Sequence, residues 1–430
     1  VLQECPSCKT SLINGYGLKN LGLVKKPNPK RIEYHCKNKN CQFFDRKIPV
    51  SVVDEYIYKN PPTFLIGTVD KFAMISYKKD VRKFFGIGDD EIRPPDLIIQ
   101  DELHLISGPL GSIYGAYERL INQLMKKEFR GVNFYPKIVC STATISAAEE
   151  QIKKLYSIKE EKFIHLFPSN GLKIWDNYFS YVDYNQTGRT YIGILPPPNL
   201  PSASLKRFLL SALLQACKMP DFPSKEQIDP YFTLVDYYNS IRELGVGSTS
   251  IRDDVYEHLG VLSDRYNLKE NKREINNIME LTSRDNSEPI SKKLEKLERT
   301  INDEGVLDVC LSTNMLSVGV DIDRLGLMNV SGQPKTTAEY IQATSRVGRK
   351  YPGVVTVQYG GAKPRDRSHY EQFQSYHSRF YANVEPTSVT PFSYRAVDKV
   401  LPAIIIAFLR VIGNHDSKDK PYNLSDENIQ

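Results

Sequence analysis

The chain has 430 residues, of which 40% are hydrophobic and 25% are charged, a composition typical of a globular protein with two or three domains. No signal peptide opens the sequence. The longest apolar run, residues 400–412, is too short to cross a bilayer and predicts a buried helix. These features argue against a secreted or membrane-spanning protein, and we expect a cytoplasmic one.

Positive charge is concentrated at the front of the chain. The net charge is +6 at pH 7, and residues 1–60 hold eleven Lys or Arg against five Asp or Glu, whereas residues 61–430 hold 46 of each sign. A basic front module suits contact with a phosphate backbone. A solvated surface explains the same small excess, so charge alone does not decide between the two interpretations.

The front module also carries two pairs of cysteines. Cys5 and Cys8 form the first pair, and Cys36 and Cys41 follow after a stretch that contains Gly and Pro. Paired thiolates on two tight turns are typical of a tetrahedral Zn²⁺ site, which stabilises a module too small for a large core. His35 in place of Cys36, or disulfide pairing, are the alternatives. We predict a structural zinc ribbon, and we expect core positions for the remaining cysteines, Cys140, Cys217 and Cys310.

Strands that end in polar turns follow this module. Residues 63–71 and 136–144 each predict a short apolar strand and a turn, and residues 96–100 predict a buried strand. A helix is predicted at 112–127. Alternating strands and helices favour a parallel α/β sheet whose loops gather at the carboxyl ends of the strands, where ligands bind.

Two adjacent carboxylates follow the strand at 96–100, in the sequence Asp-Glu-Leu-His at residues 101–104. Asp101 is a candidate to hold Mg²⁺ on a triphosphate, and Glu102 is a candidate to orient or deprotonate the attacking water. Residues 101 and 102 are therefore the candidate catalytic acids.

The regular alternation lapses between residues 165 and 229 and then resumes. Strands at 179–182 and 189–195 are predicted to form a hairpin, and a helix is predicted at 205–218. A strand that leads into a helix is predicted at 231–240. Residues 251–276 are a charged helical insertion, and further strands are predicted at 306–313, 325–330 and 354–357.

A second candidate site lies at residues 342–349, Gln-Ala-Thr-Ser-Arg-Val-Gly-Arg. If this segment is helical, Gln342, Arg346 and Arg349 lie on one face. Two arginines on one face suit a γ-phosphate whose charge spreads in the transition state.

Aromatic and cationic residues alternate in the segment 363–400. Such a segment either stacks bases and grips phosphates or packs its aromatic side chains on the preceding domain. Both interpretations are kept for the members of this group: Arg365, Arg367, His369, Tyr370, Phe373, Tyr376, His377, Arg379, Phe380 and Tyr381.

The chain contains no Gly-x-x-x-x-Gly-Lys-Ser/Thr sequence, the loop whose amides and Lys cradle phosphates. That loop is expected upstream of Asp101, where only 100 residues are present and where Val1 stands in place of an initiator Met. The expectation is a fragment that begins after the loop and has little ATP turnover of its own.

Five motifs in this order, over residues 63–360, resemble those of the superfamily 2 helicases and translocases of the Asp-Glu-x-His type. The resemblance implies two RecA-like domains with parallel sheets, hydrolysis of ATP with magnesium, and a nucleic-acid partner. It implies catalytic roles for Asp101, Glu102, His104, Gln342, Arg346 and Arg349. It implies nucleotide contacts by Gly319 and Asp321, and nucleic-acid contacts by Thr68, Lys71, Thr142, Thr144 and Thr313.

The cysteine module, the sequence Asp-Glu-Leu-His-Leu-Ile-Ser-Gly-Pro-Leu-Gly-Ser and the aromatic-basic segment resemble the helicase subunit of the DISARM anti-phage defence system. This implies an ATP-dependent DNA helicase or translocase that acts with partner subunits, on single- or double-stranded DNA, with RNA as a further option. The expected cofactors are ATP, magnesium and zinc.

Two alternatives remain: a nucleic-acid-binding scaffold without ATPase activity, and a double-strand DNA translocase subunit of a restriction-type system. The intact acids and arginines argue against the scaffold. The predicted divisions are a zinc-binding module at 1–60, an incomplete first RecA-like domain at 61–165, a connecting region at 166–230, a second RecA-like domain at 231–362 and a helical extension at 363–430.

Overall fold

The computed structural model describes residues 2, 4–12, 22–26, 31–87, 93–129, 131–142, 148–168, 176–186, 188–219, 224–285, 288–313, 322–386 and 388–411. These residues form two compact units. The first comprises the described residues up to 165 together with 388–411, and the second comprises those from 166 to 386. No helix among the described residues is long and apolar enough to cross a membrane.

The strands of the described residues are β1 (Leu23–Lys26), β2 (Arg31–Tyr34), β3 (Leu97–Gln100), β4 (Lys127–Phe129), β5 (Val132–Phe134), β6 (Lys137–Cys140), β7 (Asp176–Asn177), β8 (Ser180–Tyr181), β9 (Arg189–Ile194), β10 (Leu234–Tyr238), β11 (Ile278–Leu281), β12 (Val309–Ser312), β13 (Leu327–Ser331) and β14 (Gly353–Gln358). The α-helices are α1 (Asp54–Lys59), α2 (Val69–Phe72), α3 (Gly108–Met125), α4 (Ala148–Leu155), α5 (Ser202–Ala216), α6 (Lys225–Phe232), α7 (Ile241–Ser250), α8 (Tyr256–Arg265), α9 (Ile290–Glu298), α10 (Thr337–Thr344), α11 (Pro364–Glu371), α12 (Phe373–Ser378) and α13 (Tyr394–Val411).

The second unit is built on a six-stranded parallel sheet in the order β11-β12-β10-β13-β14-β9. Every residue of the central strand β10 is buried, and so is every residue of β12. Continuous apolar strands of this kind are typical of parallel sheets that are covered on both faces. Side-chain caps begin the helices that follow two of the strands: Ser240 accepts from the Glu243 amide in α7, and Thr336 accepts from the Glu339 amide in α10.

The segment 251–276 is part of the core of this unit rather than a separate insertion. It opens with a π-helical stretch, Ile251–Val255, and continues as α8. Ile251, Val255 and Leu259 are fully buried in a cluster with Leu210 of α5. The exposed charged residues of its helical part lie on the solvent face, whereas Arg273 is buried and pairs with Asp308.

The strand at 189–194 differs from its predicted place. It was expected in a hairpin with 179–182, but β9 pairs in parallel with β14 at the edge of the large sheet, whereas β7 and β8 form a two-stranded hairpin. The reason lies in its packing. Tyr191 packs against the aromatic core, and a Cβ added at Gly193 would meet the Phe373 ring at 2.6 Å.

The first unit contains a two-stranded parallel sheet of β3 and β6. Ile98 faces a core formed with α3 and α13, whereas Leu97, Ile99 and Val139 are 50%, 60% and 41% exposed. The predicted strand at 63–68 is wrong, since these residues have no strand structure, and Ile66 is 83% exposed. No strand among the described residues pairs with this segment.

The front module has its own small core. Strands β1 and β2 are antiparallel, and the buried cluster consists of Cys5, Leu12, Tyr34, Cys36, Cys41 and Ile48. A core of six side chains is too small to stabilise a module without a covalent or metal constraint.

Candidate functional site

The two candidate acids lie at the carboxyl end of β3. Asp101 is exposed, and its Oδ1 accepts the Glu102 amide at 2.9 Å and the Ser141 hydroxyl. Its Oδ2 has no hydrogen-bond partner among the described residues. One oxygen is thus fixed while the other is open to solvent, an arrangement that suits a hard cation such as Mg²⁺.

Glu102 occupies a left-handed backbone conformation with φ 50°, which is uncommon for a residue with a side chain. The strand therefore turns sharply directly after Asp101, and the Glu102 carboxylate remains 38% exposed. Strained positions at the end of a parallel strand are frequent at functional sites.

His104 connects the acidic motif to the turn that follows β6. Its Nδ1 lies 3.1 Å from the Thr142 hydroxyl and 3.4 Å from a Glu102 carboxylate oxygen. The backbone adds a second link, because the Leu103 amide donates to the Ser141 carbonyl at 3.0 Å. The ends of β3 and β6 are thus joined by side chains and by backbone.

The next candidates lie farther along the first unit. Thr68 is exposed and precedes α2. The Lys71 ammonium forms an exposed ion pair with Asp54. Hydrogen bonding and charge attraction from Asp54 raise the pKa of Lys71. Thr144 lies outside the described residues.

In the second unit, the predicted arginine helix ends early. Helix α10 stops at Thr344, so Gln342 is helical whereas Arg346 and Arg349 lie in the turn that follows. The turn needs Gly348, whose φ is 68° and whose amide donates to the Leu325 carbonyl at 2.8 Å. A left-handed residue cannot continue an α-helix.

A residue that the sequence did not single out fixes this turn. Arg189 of β9 donates from Nε to the Val347 carbonyl at 2.6 Å and from a terminal nitrogen to the Ser345 carbonyl at 3.2 Å. Arg349 is exposed and donates from Nε to the same Ser345 carbonyl at 3.3 Å. No local signal marks Arg189, because its partners are more than 150 residues away.

The remaining candidates of the second unit are less accessible. Thr313 follows β12 and is only 5% exposed. Gly319 and Asp321 lie outside the described residues. In the aromatic-basic segment, Tyr376 is buried in the core of the large sheet, and Phe373 and Phe380 pack against it. The packing interpretation therefore holds for these three side chains.

The four cysteines of the front module converge on one point. Their sulfur atoms all lie within 4.8 Å of one another, with Cys5 3.7 Å from Cys41 and Cys8 3.5 Å from Cys36. These distances are well beyond the roughly 2.05 Å of a disulfide bond. They are close to the edge of about 3.8 Å that a tetrahedron of sulfurs around Zn²⁺ has.

The surroundings of the cluster also suit thiolates. The Asn38 amide points to the Cys36 sulfur and the Phe43 amide points to the Cys41 sulfur, each at 3.4 Å. His35 does not belong to the cluster, since its Nε2 hydrogen-bonds Glu33 at 3.2 Å. The donor set is therefore four sulfurs, a set typical of structural zinc.

Comparison with known proteins agrees with these features. The family model of the helicase conserved C-terminal domain matches residues 266–351. The DISARM protein DrmA of Bacillus paralicheniformis is 40% identical over 448 aligned residues, which are 95% of this chain and 39% of DrmA. The chain thus spans well under half of the length of this relative. The resemblance to superfamily 2 helicases, and among them to the DISARM subunit, is confirmed.

Solved structures agree with the fold. The DUF1998 helicase MrfA bound to DNA is 16% identical with a TM-score of 0.51, covering 78% of this chain and 38% of MrfA. With DNA and AMPPNP bound, the TM-score is 0.53 and the coverages are 82% and 42%. The predicted α/β class with RecA-like parallel sheets is confirmed, and the cysteine cluster is compatible with the predicted zinc module.

Proposed function

We propose that these residues are part of an ATP-dependent DNA helicase or translocase of superfamily 2 that acts in anti-phage defence. Two findings support this: the chain is similar to DrmA along nearly all of its length, and it matches the helicase conserved C-terminal domain. The observation that carries the proposal is the arrangement at the end of β3. Asp101 has one open carboxylate oxygen and one that accepts the Ser141 hydroxyl, Glu102 lies beside it, and His104 joins Glu102 to Thr142 after β6.

In this proposal each residue at the ends of β3 and β6 has a separate role in ATP hydrolysis. Asp101 would hold Mg²⁺, which would supply positive charge to the phosphates of the substrate ATP. Glu102 orients the attacking water and accepts its proton. His104 and Thr142 transmit changes at the acids to the loop after β6, the loop to which the family resemblance assigns contact with nucleic acid. In the second unit, Arg346 and Arg349 meet the charge that develops on the γ-phosphate.

The proposal includes further polypeptide that completes the first unit. Parallel sheets are normally buried on both faces, yet Leu97, Ile99 and Val139 expose one face of the β3–β6 sheet. DrmA is more than twice as long as this chain, and this supports additional polypeptide as the cover for that face of the β3–β6 sheet. We propose that the phosphate-binding loop belongs to that additional polypeptide, so that these 430 residues alone hydrolyse ATP no faster than background.

The front module is proposed to bind both zinc and nucleic acid. The four sulfurs fit one structural Zn²⁺, which would fold the front module. The exposed lysines of that module would contact the phosphate backbone without reading sequence. The DNA in the MrfA structures supports DNA as the partner.

The proposal is tested on the full-length protein with Glu102→Gln. This change preserves the shape of the side chain but removes the base, so turnover should stop while binding of ATP and DNA stays nearly intact. Glu149→Gln, at an exposed position of α4, is the matched control and should keep normal turnover. ATPase at background in both wild type and Glu102→Gln would instead favour a nucleic-acid-binding scaffold, and equal rates above background would exclude Glu102 as the base.

A further inference from the structure

We infer that Arg189 is a positioning residue for the arginine motif, fixing the turn that presents Arg346 and Arg349. The inference rests on the proposed function, because it assigns a catalytic task to that turn. It concerns a residue that no motif includes and that lies on β9, the edge strand of the six-stranded sheet.

The hydrogen bonds of Arg189 bracket Arg346. Its guanidinium donates to the carbonyls of Ser345 and Val347, the residues on either side of Arg346. The Ser345 carbonyl belongs to the peptide plane just before Arg346, and the Val347 carbonyl belongs to the plane just after Val347. One planar group therefore holds the backbone on both sides of the segment that carries the Arg346 side chain.

These carbonyls belong to the turn just beyond α10, which ends at Thr344. Carbonyls past the end of a helix have no intrahelical donors. The negative end of the helix dipole lies at the same place, and a guanidinium there is favourable. Arg189 thus acts as a cap supplied by a strand that is more than 150 residues away in sequence.

The stem of Arg189 also determines the path of the turn. A Cβ added at Gly348 would lie 3.0 Å from the Arg189 Cγ and 2.8 Å from the Gly353 Cα. Gly348 is therefore enclosed between the Arg189 stem and the start of β14. Tyr191, two residues along β9, adds a bond from its hydroxyl to the Thr344 hydroxyl at 3.2 Å. The same strand therefore contacts the helix end and the turn.

The test uses Arg189→Ala and Arg189→Lys in the full-length protein, with kcat, the KM for ATP and DNA binding measured together. Arg189→Ala should lower kcat by about a hundredfold, the cost of a small misplacement of catalytic groups, with little change in DNA binding. Arg189→Lys should recover part of the loss, since an ammonium replaces the charge but not the two-carbonyl geometry. Adding Arg189→Ala to Arg349→Ala should lower kcat little further, because both act through one turn.

Amide hydrogen exchange supplies a readout that is independent of turnover. Exchange over residues 345–350 should accelerate in Arg189→Ala while exchange in β10 and β12 stays unchanged. The matched control is Arg299→Ala, because Arg299 also donates to a backbone carbonyl, that of Glu304 at 3.1 Å, beside a positive-φ glycine, Gly305. This control should leave kcat and exchange at 345–350 unaltered.

The outcomes separate the two claims. If wild type fails to hydrolyse ATP, the proposed function fails, and exchange at 345–350 still decides whether Arg189 holds the turn. If Arg189→Ala leaves both that exchange and kcat unchanged, the inference is wrong. It is equally wrong if exchange rises throughout the second unit and kcat per folded molecule stays normal, because Arg189 would then only stabilise the fold.

Discussion

Arg349 is the exposed member of the arginine pair, tied to the protein by its Nε bond to the Ser345 carbonyl, whereas Arg346 is half-buried. In the full-length protein, Arg349→Ala should lower kcat on the order of a thousandfold, since the side chain meets charge that exists only in the transition state. Melting temperature should be measured beside the ATPase rate. A variant that melts early but keeps its turnover would mean that Arg349 serves only to stabilise the protein.

Glu118, on α3, illustrates how burial changes the chemistry of one residue. Its side chain is 2% exposed, one carboxyl oxygen accepts the Tyr114 hydroxyl, and the other has no partner among the described residues. Burial raises the pKa of Glu118 to about 7, and the Tyr114 bond lowers it only in part. Cys140 and Tyr156 are the other titratable groups that interact with it.

A pH dependence of stability follows from that raised pKa. The Glu118 carboxyl keeps its proton in the folded state at pH values where it has lost that proton in the unfolded chain. Its contribution to the unfolding free energy is therefore complete below the unfolded pKa and is lost as pH rises toward 7. Between about pH 5 and 7, the unfolding free energy of wild type should fall by roughly 1–3 kcal/mol more than that of Glu118→Gln. Urea unfolding at several pH values measures the difference, and parallel curves would contradict the prediction.

At the scale of an element, the front module depends on its cysteine cluster. Freshly purified protein should contain one Zn²⁺ per chain, and Cys36→Ser should lose it, because three sulfurs cannot complete the tetrahedron. Cys140→Ser, a cysteine outside the cluster, should keep the metal. Elemental analysis of the unchelated protein is the measurement, and less than about half an equivalent of zinc in wild type would contradict the assignment.

At the scale of the whole molecule, the uneven charge predicts where nucleic acid binds. The 430-residue chain should bind DNA weakly, without sequence preference, and its affinity should fall on the order of tenfold or more between about 50 and 200 mM salt. The double change Lys25→Glu and Lys26→Glu, at exposed positions of β1, should weaken binding. Fluorescence anisotropy with a labelled oligonucleotide gives both quantities.

The matched control for this prediction places the same charge change on the second unit. Lys218→Glu with Lys225→Glu alters two exposed lysines at and before α6. Equal losses in the two double variants would show that net charge matters and the front module does not. Binding that ignores salt would exclude a phosphate-backbone contact altogether.

The sequence by itself determined the features that depend on residues close together in the chain. The paired cysteines, the apolar strand before Asp101, found as β3 but exposed on one face, and the helix near 112–127, found at 108–125, each depend on neighbours along the chain. The order of the motifs also predicted the α/β class and the helicase resemblance. Periodicity and spacing are local properties, so one chain is enough to read them.

Only the tertiary structure decided the features that depend on distant partners. It placed β9 beside β14, left residues 63–68 without a strand and ended α10 before Arg346. The early end of α10 shows this most clearly, because Arg189 of β9 donates to the carbonyls of the turn that follows the helix. Strand pairing, burial and helix ends are settled by long-range contacts, which override local propensity and leave no periodic signal in the sequence.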